Sequence, residues 1–238
     1  MPSKQCLSEF AVSSYIPTIN ANLKSSDSNS VENGASTAGL LIISQPNTPK
    51  KVQILGAAEE ANKVGKQLGN RKIPSRTLVD QSGTVEGVLK AMESFPSIHL
   101  ACHASQDATS PLKSSIHLHD GPLELSEIMK RNLPDSDLAF LSACQTSTGD
   151  KNLSEEVVHI AAGMLAAGYR SVVGTMWSIS DKHGPDIAES FYESLLDDGG
   201  SRIDGAKAAR ALHSAVQHFR EKNSDSLHVW VPYIHIGV

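Results

Sequence analysis

Short apolar runs alternate with amphipathic stretches along most of the chain. Residues 38–44 form a continuous apolar run, which is typical of a strand covered on both faces. Between such runs, apolar residues recur every three or four positions, as Ala57 and Ala61 do, and this spacing predicts helices. Glu59 and Glu60 fall in the first turn of that helix, where its dipole favours acids. The pattern predicts strands at 38–44, 76–79, 98–102, 138–143, 169–175 and 229–236, and helices at 56–68, 84–94, 125–131, 154–167, 185–196 and 204–219.

Strands that alternate with helices favour one mostly parallel sheet with helices on both faces, here an α/β domain with six strands. Alternating residues on either side of Asp120 and Gly121 predict a small β-hairpin over 114–125 that stands off this sheet. Pro232 places the last strand at an edge of the sheet, because proline cannot donate to a central ladder.

The first 37 residues differ from the rest of the chain. Scattered apolar residues from Leu7 to Leu23 predict an extended edge element or a short helix. The stretch from Ser25 to Thr37 is rich in Ser, Asn, Asp and Gly and predicts a flexible loop. We therefore divide the chain into an N-terminal segment at 1–37 and a main domain at 38–238. Because the apolar pieces begin with no capping element, we interpret the chain as the C-terminal domain of a longer protein.

Composition and charge exclude several classes of function. A formal net charge of −5 and the lack of a Lys/Arg-rich stripe argue against nucleic-acid binding. No stretch approaches the roughly 20 apolar residues of a membrane-spanning helix, and the start lacks the apolar core of a signal peptide. Three cysteines at irregular spacing do not form a disulfide framework, so the expected compartment is the reducing cytoplasm, or the nucleus.

Two of the predicted strands end in reactive side chains. His103 follows the third strand, and Cys144 follows the fourth. If these strands are neighbours in a parallel sheet, both side chains emerge at its carboxyl edge, where open α/β sheets place their chemistry. An imidazole beside a thiol helps to form the thiolate that attacks a carbonyl carbon. The competing interpretations are a buried structural cysteine and a surface histidine on a loop.

Two backbone groups and one acid extend this candidate site. The N–H groups of Ala104 and Cys144 are expected to point into the same crevice, where they would stabilise the oxyanion of an acyl transfer. Asp181 lies in the loop after the fifth predicted strand, and a carboxylate there would select a basic substrate side chain. Its structural alternative is a helix cap or a solvated loop acid.

Metal and nucleotide sites find little support in the sequence. No common zinc spacing fits the Cys and His residues near the two strands, which are Cys102, His103, His117, His119 and Cys144. Neighbours in a strand point to opposite faces, so Cys102 is interpreted as core, and His117 and His119 as surface residues of the hairpin. The chain also carries no phosphate-binding glycine loop, no dinucleotide fingerprint and no serine nucleophile elbow. We therefore expect no metal and no cofactor.

Four stretches of the chain resemble the CHAT family of caspase-like cysteine peptidases, relatives of separase, caspases and gingipains. They follow the family's order and cover most of residues 38–238, and the two longest are far more specific than a short motif. The stretches are IHLACHA at 98–104, SSIHLHDGPLELSEI at 114–128, LAFLSACQTSTGDKNLSEEVVHIAAGMLAAGYRSVVGTMWSISD at 138–181 and WVPYIHIG at 230–237.

The resemblance implies a caspase-like three-layer fold and a cysteine endopeptidase that uses a dyad of His103 and Cys144. It also implies that Asp181 helps to bind a basic residue, so that a protein or peptide substrate is cut after Arg or Lys. Many relatives carry glycine after the histidine, where this chain has Ala104. Alanine still offers its N–H, although its backbone is less free than that of glycine.

A second interpretation belongs to a different class of function. The domain would keep the caspase-like fold as a catalytically silent or latent interaction and signalling module, switched on by upstream repeats or by a ligand. CHAT domains commonly end proteins that carry tetratricopeptide or other helical repeats. Helical-repeat domains in the same chain or complex are therefore expected partners, whereas nucleic acid and membrane are not.

Overall fold

The computed structural model describes residues 10–16, 39–107, 109–142, 156–177, 179, 181–222 and 227–237, with the backbone alone at 156–159. Nine strands lie within these ranges: β1 Leu40–Ser44, β2 Ser75–Val79, β3 Ser97–Ala101, β4 Ala104–Ser105, β5 Ser115–His117, β6 Pro122–Glu124, β7 Leu138–Leu141, β8 Ser171–Thr175 and β9 Tyr233–Gly237. Seven α-helices accompany them: α1 Leu55–Asn70, α2 Val85–Met92, α3 Leu125–Lys130, α4 Glu156–Ala167, α5 Gly184–Leu195, α6 Ala208–Lys222 and α7 Leu227–Trp230.

A six-stranded sheet forms the centre of the described structure, in the order β2-β1-β3-β7-β8-β9. The first five strands run parallel to one another, and β9 pairs with β8 in the antiparallel direction. Every residue of β1, β3 and β8 is buried, as the continuous apolar runs predict for strands covered on both faces.

Successive strand residues supply two separate cores. Leu41 and Leu100 belong to the core on one face, which α2, α3 and α4 cover. Leu40 and Phe140 belong to the core on the opposite face, beneath α1, α5 and α6. Each fully buried Leu or Phe side chain contributes about 1.5–3 kcal/mol relative to exposure. The predicted mostly parallel sheet with helices on both faces is therefore confirmed as a three-layer arrangement.

A small antiparallel sheet stands beside the carboxyl edge of the main sheet, in the order β4-β5-β6. Ala104 pairs with Ile116, and Ile116 pairs in turn with Leu123. The predicted hairpin over 114–125 is confirmed as β5 and β6. The sequence did not indicate β4, which begins directly after His103 and is two residues long.

The last predicted strand is wrong at its start. Residues 227–230 form the short helix α7, and β9 begins only at Tyr233, after Pro232. Val229 packs into the core from the helical turn, so its apolar character reflects burial and not strand pairing. β9 lies last in the strand order of the sheet, in agreement with the edge position that Pro232 predicts.

A part of the N-terminal segment lines the outer side of β9. The N–H of Tyr15 donates to the carbonyl of His235 at 2.9 Å, and the N–H of Gly237 donates to the carbonyl of Tyr15 at 2.9 Å. Of the two predictions for residues 7–23, the extended edge element fits the described piece at 10–16. The predicted loop at 25–37 and the boundary after residue 37 lie outside the described residues. Within those residues, no helix has the length and apolar character needed to span a membrane.

His235 ties this segment to the sheet with its side chain. Its Nδ1 lies 2.7 Å from the Ser14 hydroxyl, and its Nε2 lies 2.7 Å from the Ser171 hydroxyl. Burial of the ring disfavours its charged form and lowers the pKa of His235 to about 4.

We predict that His235→Gln weakens the pH dependence of stability. Between about pH 6.5 and pH 4 the unfolded chain binds a proton that the folded His235 does not, so stability falls as the pH drops through this window. The loss is on the order of 3 kcal/mol, because one pKa unit corresponds to about 1.4 kcal/mol. Melting temperatures across this window should decline less steeply in His235→Gln than in the wild type. The exposed His228, changed in the same way, is the control and should keep the wild-type slope.

Candidate functional site

The carboxyl edges of β3 and β7 bring the two candidate segments together. These strands are parallel neighbours, and Leu100 lies opposite Leu141. His103 and Cys144 each follow these paired residues by three positions in the sequence. The prediction that the two strands are adjacent and parallel is confirmed. Cys144 itself, with its N–H, lies outside the described residues.

The carbonyl of Val52 orients the His103 ring. The imidazole is buried, and its Nε2 lies 2.6 Å from the Val52 oxygen. A carbonyl oxygen can only accept, so Nε2 carries the hydrogen of this bond. In the neutral ring the lone pair then belongs to Nδ1, which is therefore the basic nitrogen. The surface histidine that the sequence left open as an alternative does not fit this burial.

Hydrogen bonds fix the loop that carries Val52. The N–H and the side-chain amide of Asn47 donate to the two carboxylate oxygens of Asp80 at 3.0 and 2.9 Å. The Gln53 amide donates to the Asn47 side chain at 2.8 Å, and the N–H of Ile54 donates to the carbonyl of Pro46 at 3.0 Å. A loop held at both ends in this way keeps the Val52 carbonyl in one position.

Ladder geometry sets the direction of the Ala104 N–H. The N–H of His117 donates to the carbonyl of His103 at 2.8 Å, and the next pair in the ladder is Ala104 with Ile116. Hydrogen-bonded and non-hydrogen-bonded pairs alternate between antiparallel strands. The Ala104 N–H therefore points away from β5, which is the direction that a donor to a substrate would need.

Asp181 lies against the first turn of α1. A Cβ built on Gly56 would come within 2.2 Å of the Asp181 carbonyl oxygen, so only glycine allows this approach. The Asp181 side chain is half-buried, and burial raises the pKa of its carboxyl; His103 opposes this shift and Glu60 adds to it. The residue at the N-cap of α5 is His183, so Asp181 does not cap that helix.

Glu60 is a buried acid beside this site. The prediction that it lies in the first turn of its helix is wrong, because α1 begins at Leu55 and has no acid in its first turn. It faces inward from α1, and only 3% of its surface is exposed. The Ser142 hydroxyl donates to its Oε2 at 2.9 Å. Its Oε1 lies 3.1 Å from His99 Nε2, but the two atoms are not aligned for a hydrogen bond. The missed signal was the spacing of Glu60 to Ala57 and Val64, which places it on the apolar face of the helix and not among solvated acids.

His99 extends the polar contacts into the core. It lies in the middle of β3, stacks on Phe140 with ring centroids 4.9 Å apart, and places Nδ1 3.2 Å from the Tyr192 hydroxyl. Burial, with a further contribution from Glu60, raises the pKa of Tyr192. Glu60, His99, Tyr192 and Ser142 together form what we call the buried polar network, which joins α1, β3, α5 and the end of β7.

A small cavity separates the buried polar network from Asp181. It has room for about one water molecule, at about 10 Å³. Two of its lining residues, Ala101 and Ser142, precede His103 and Cys144 by two positions each. The full lining consists of Ile54, Gly56, Ala57, Glu60, Ala101, Ser142, Ile179, Asp181 and Gly184.

The remaining Cys and His predictions have mixed outcomes. Cys102 is fully buried in the core, as predicted. The prediction of a surface position is wrong for His117 and His119, which are both half-buried; His117 places Nε2 2.9 Å from the Ser105 hydroxyl. Burial, reinforced by Lys51 and His103, lowers the pKa of His117 to about 4. Among the described side chains, no three His, Cys, Asp or Glu residues lie close enough to hold a metal ion.

Comparison with known proteins places the chain in a family. The family model for the CHAT domain matches residues 2–238, which is nearly the whole chain. A search of curated proteins gives no match.

Two solved structures share the fold. The Arg specific cysteine proteinase gingipain R is 13% identical, with a TM-score of 0.55, over 84% of this chain and 46% of that chain. The complex of the pro- and mature domains of RgpB from Porphyromonas gingivalis is 12% identical, with a TM-score of 0.54, over 84% and 47%. This chain therefore spans about half the length of these structures, and the likeness concerns the fold. With a caspase-like three-layer fold and a family match over nearly its whole length, the chain belongs to the CHAT domain family.

Proposed function

We propose that this protein is a cysteine endopeptidase in which His103 and Cys144 form the catalytic dyad. The observation that carries the proposal is the bond from His103 Nε2 to the Val52 carbonyl. It makes Nδ1 the basic nitrogen of a histidine at the edge from which the neighbouring Cys144 segment leaves its strand. The caspase-like fold shared with gingipain R supports the same activity.

In the proposed mechanism, Nδ1 of His103 takes the proton of the Cys144 thiol. The thiolate attacks the peptide carbonyl carbon, and the π electron pair of the C=O bond moves onto the oxygen. The N–H groups of Ala104 and Cys144 bind this oxyanion; the outward direction of the Ala104 N–H supports its role. When the C–N bond breaks, the imidazolium gives its proton to the leaving amine. Water, deprotonated by the same ring, then hydrolyses the thioester and restores the thiol.

Asp181 is proposed to bind the basic residue before the scissile bond. Asp181 lines a small cavity together with Ala101 and Ser142, so a side chain bound there would lie close to the ends of β3 and β7. Half-burial strengthens its attraction for a cation compared with a fully solvated acid. Binding of a basic side chain there would direct cleavage to the bond after Arg or Lys.

Replacing Cys144 with alanine should abolish hydrolysis of peptides that carry Arg or Lys before the scissile bond. The expected loss in kcat is about a thousandfold or more, because the covalent step has no other nucleophile. His103→Gln should cause a similar loss, whereas Asp181→Asn should act mainly on KM for basic peptides. Mass-spectrometric mapping of cleavage sites in a peptide library measures both activity and specificity.

The matched control for Cys144→Ala is Cys102→Ala, which removes a buried thiol on the neighbouring strand segment. It should keep the cleavage pattern of the wild type. Equal turnover by the wild type and Cys144→Ala would contradict the proposal.

A latent form of the same peptidase is the second candidate, and the size of the cavity favours it. A space of about 10 Å³ holds one water and is too small for an arginine or lysine side chain. Opening it requires the backbone at Asp181 to move away from Gly56, against which it is tightly packed. A ligand or a helical-repeat partner that stabilised the open form would activate the enzyme.

Latency predicts a distinct time course for covalent labelling. With an arginyl acyloxymethyl ketone and its lysyl counterpart, the rate of Cys144 modification should reach one common plateau, because the opening step limits both reactions. Stopped labelling followed by intact-mass analysis gives these rates. Plateau rates that differ between the two ketones would contradict latency, and absence of labelling would favour the silent domain.

Two glycines of α1 test how tightly the Asp181 backbone packs. Gly56→Ala should destabilise the protein by about 1–3 kcal/mol, because its methyl group would overlap the Asp181 carbonyl. Gly65→Ala, on the same helix with open space around the new Cβ, should stabilise it by about 0.5–1 kcal/mol. Denaturant unfolding measures both changes. Equal changes in the free energy of unfolding for the two substitutions would mean that the backbone at Asp181 can shift without cost, and would contradict tight packing.

A further inference from the structure

We infer that Glu60 is a specificity-determining residue that accepts a hydrogen bond from the substrate's basic side chain, in the cavity that Asp181 also lines. The inference rests on the proposed peptidase function and adds a second carboxylate to the site. It would make the enzyme select for the charge and the branched donors of arginine.

An unused acceptor is the first observation. Oε1 of Glu60 is buried and lies 3.1 Å from His99 Nε2 without the alignment of a hydrogen bond, so it accepts none among the described residues, whereas Oε2 accepts from the Ser142 hydroxyl. Burying a carboxylate oxygen without a donor costs stability. Such a group is retained where something else supplies the donor, and Glu60 lines the cavity that a substrate side chain would enter.

The fixed position of Glu60 is the second observation. It lies in the second turn of α1 and contacts His99, which is stacked on Phe140, and Ser142 at the end of β7. These neighbours belong to the core and leave the carboxylate little freedom. A substrate side chain that entered this cavity would therefore meet Glu60 in a fixed position.

The chemistry of arginine suits two acids that line one cavity. A guanidinium presents five N–H donors in a planar fork, so that separate edges can reach two carboxylates. A lysine ammonium offers three donors from a single nitrogen atom, so it is less suited to donate to two separate carboxylates at once. The buried setting strengthens both contacts, because little water competes for the charges.

Paired isosteric changes in enzyme and substrate test the inference. Peptides with arginine before the scissile bond are compared with otherwise identical peptides that carry citrulline, which has the same shape without the charge. Glu60→Gln should lower the ratio of kcat/KM for arginine over citrulline by about 10-fold or more, the size expected for one charge-assisted hydrogen bond. Structural damage would lower both rates and leave this ratio unchanged.

Two further variants distinguish a direct contact between Glu60 and the substrate from a long-range effect of negative charge on this helix. Glu59→Gln removes an adjacent acid whose side chain is 63% exposed and pairs with Lys63, so it should keep the wild-type ratio. Glu60→Asp keeps the negative charge, but its side chain is one methylene shorter, so the carboxylate oxygens no longer reach the substrate. If Glu60 contacts the substrate directly, this variant should also lower the ratio of kcat/KM for arginine over citrulline.

The outcomes distinguish this inference from the proposed function. If the wild type cleaves arginine peptides but Glu60→Gln or Glu60→Asp keeps the wild-type arginine-to-citrulline ratio, Glu60 does not contact the substrate and the inference is overturned. If Asp181→Asn alone changes that ratio, specificity belongs to Asp181 and the peptidase proposal survives. Wild-type protein that cleaves none of these peptides, and that no ketone labels, overturns the proposed function itself.

Discussion

The parallel pairing of β3 with β7 is the constraint on which the candidate site depends. Leu100 opposite Leu141 fixes the relative height of the two strands, and a shift of one residue would turn each buried side chain to the other face. The cores on both faces make such a shift costly, because every residue of β3 and β7 is buried. His103 therefore leaves the sheet at a height set by core packing. The rigid loop at Val52 then sets the orientation of its ring.

Beside the carboxyl edge of β3 and β7, polar side chains occupy buried positions where apolar side chains would pack without a cost of desolvation. Glu60, His99 and Ser142 replace hydrophobic contacts between α1, β3 and the end of β7. Buried acids of this kind add little to stability, since desolvation offsets most of their attraction. We propose that Glu60, which lines the same small cavity as Asp181, contributes to substrate selection. Local violations of the hydrophobic pattern are expected at functional sites.

Much of the fold could be predicted because its strands are short, apolar and separated by amphipathic helices. β1, β3 and β7 stand out as continuous apolar runs, and their order along the chain implies a parallel sheet. Two features escaped prediction for physical reasons. Val229 is apolar because a helical turn buries it, and periodicity cannot distinguish that from a strand over so few residues. In the sequence, Glu60 cannot be distinguished from an ordinary solvated acid near the start of a helix. Only the folded structure brings His99 of β3 and Ser142 at the end of β7 into contact with it.

His103 is proposed to activate Cys144, and the pH dependence of Cys144 alkylation tests this activation most directly. Iodoacetamide rates, followed by peptide mass mapping to separate Cys144 from the other two cysteines, report the thiolate fraction at each pH. We predict that Cys144 in the wild type reacts well below the pH of about 8.5 at which an ordinary thiol ionises, and that His103→Gln moves this profile up to the ordinary range. Superimposable profiles for the two proteins, both centred at the ordinary thiol value, would contradict the account.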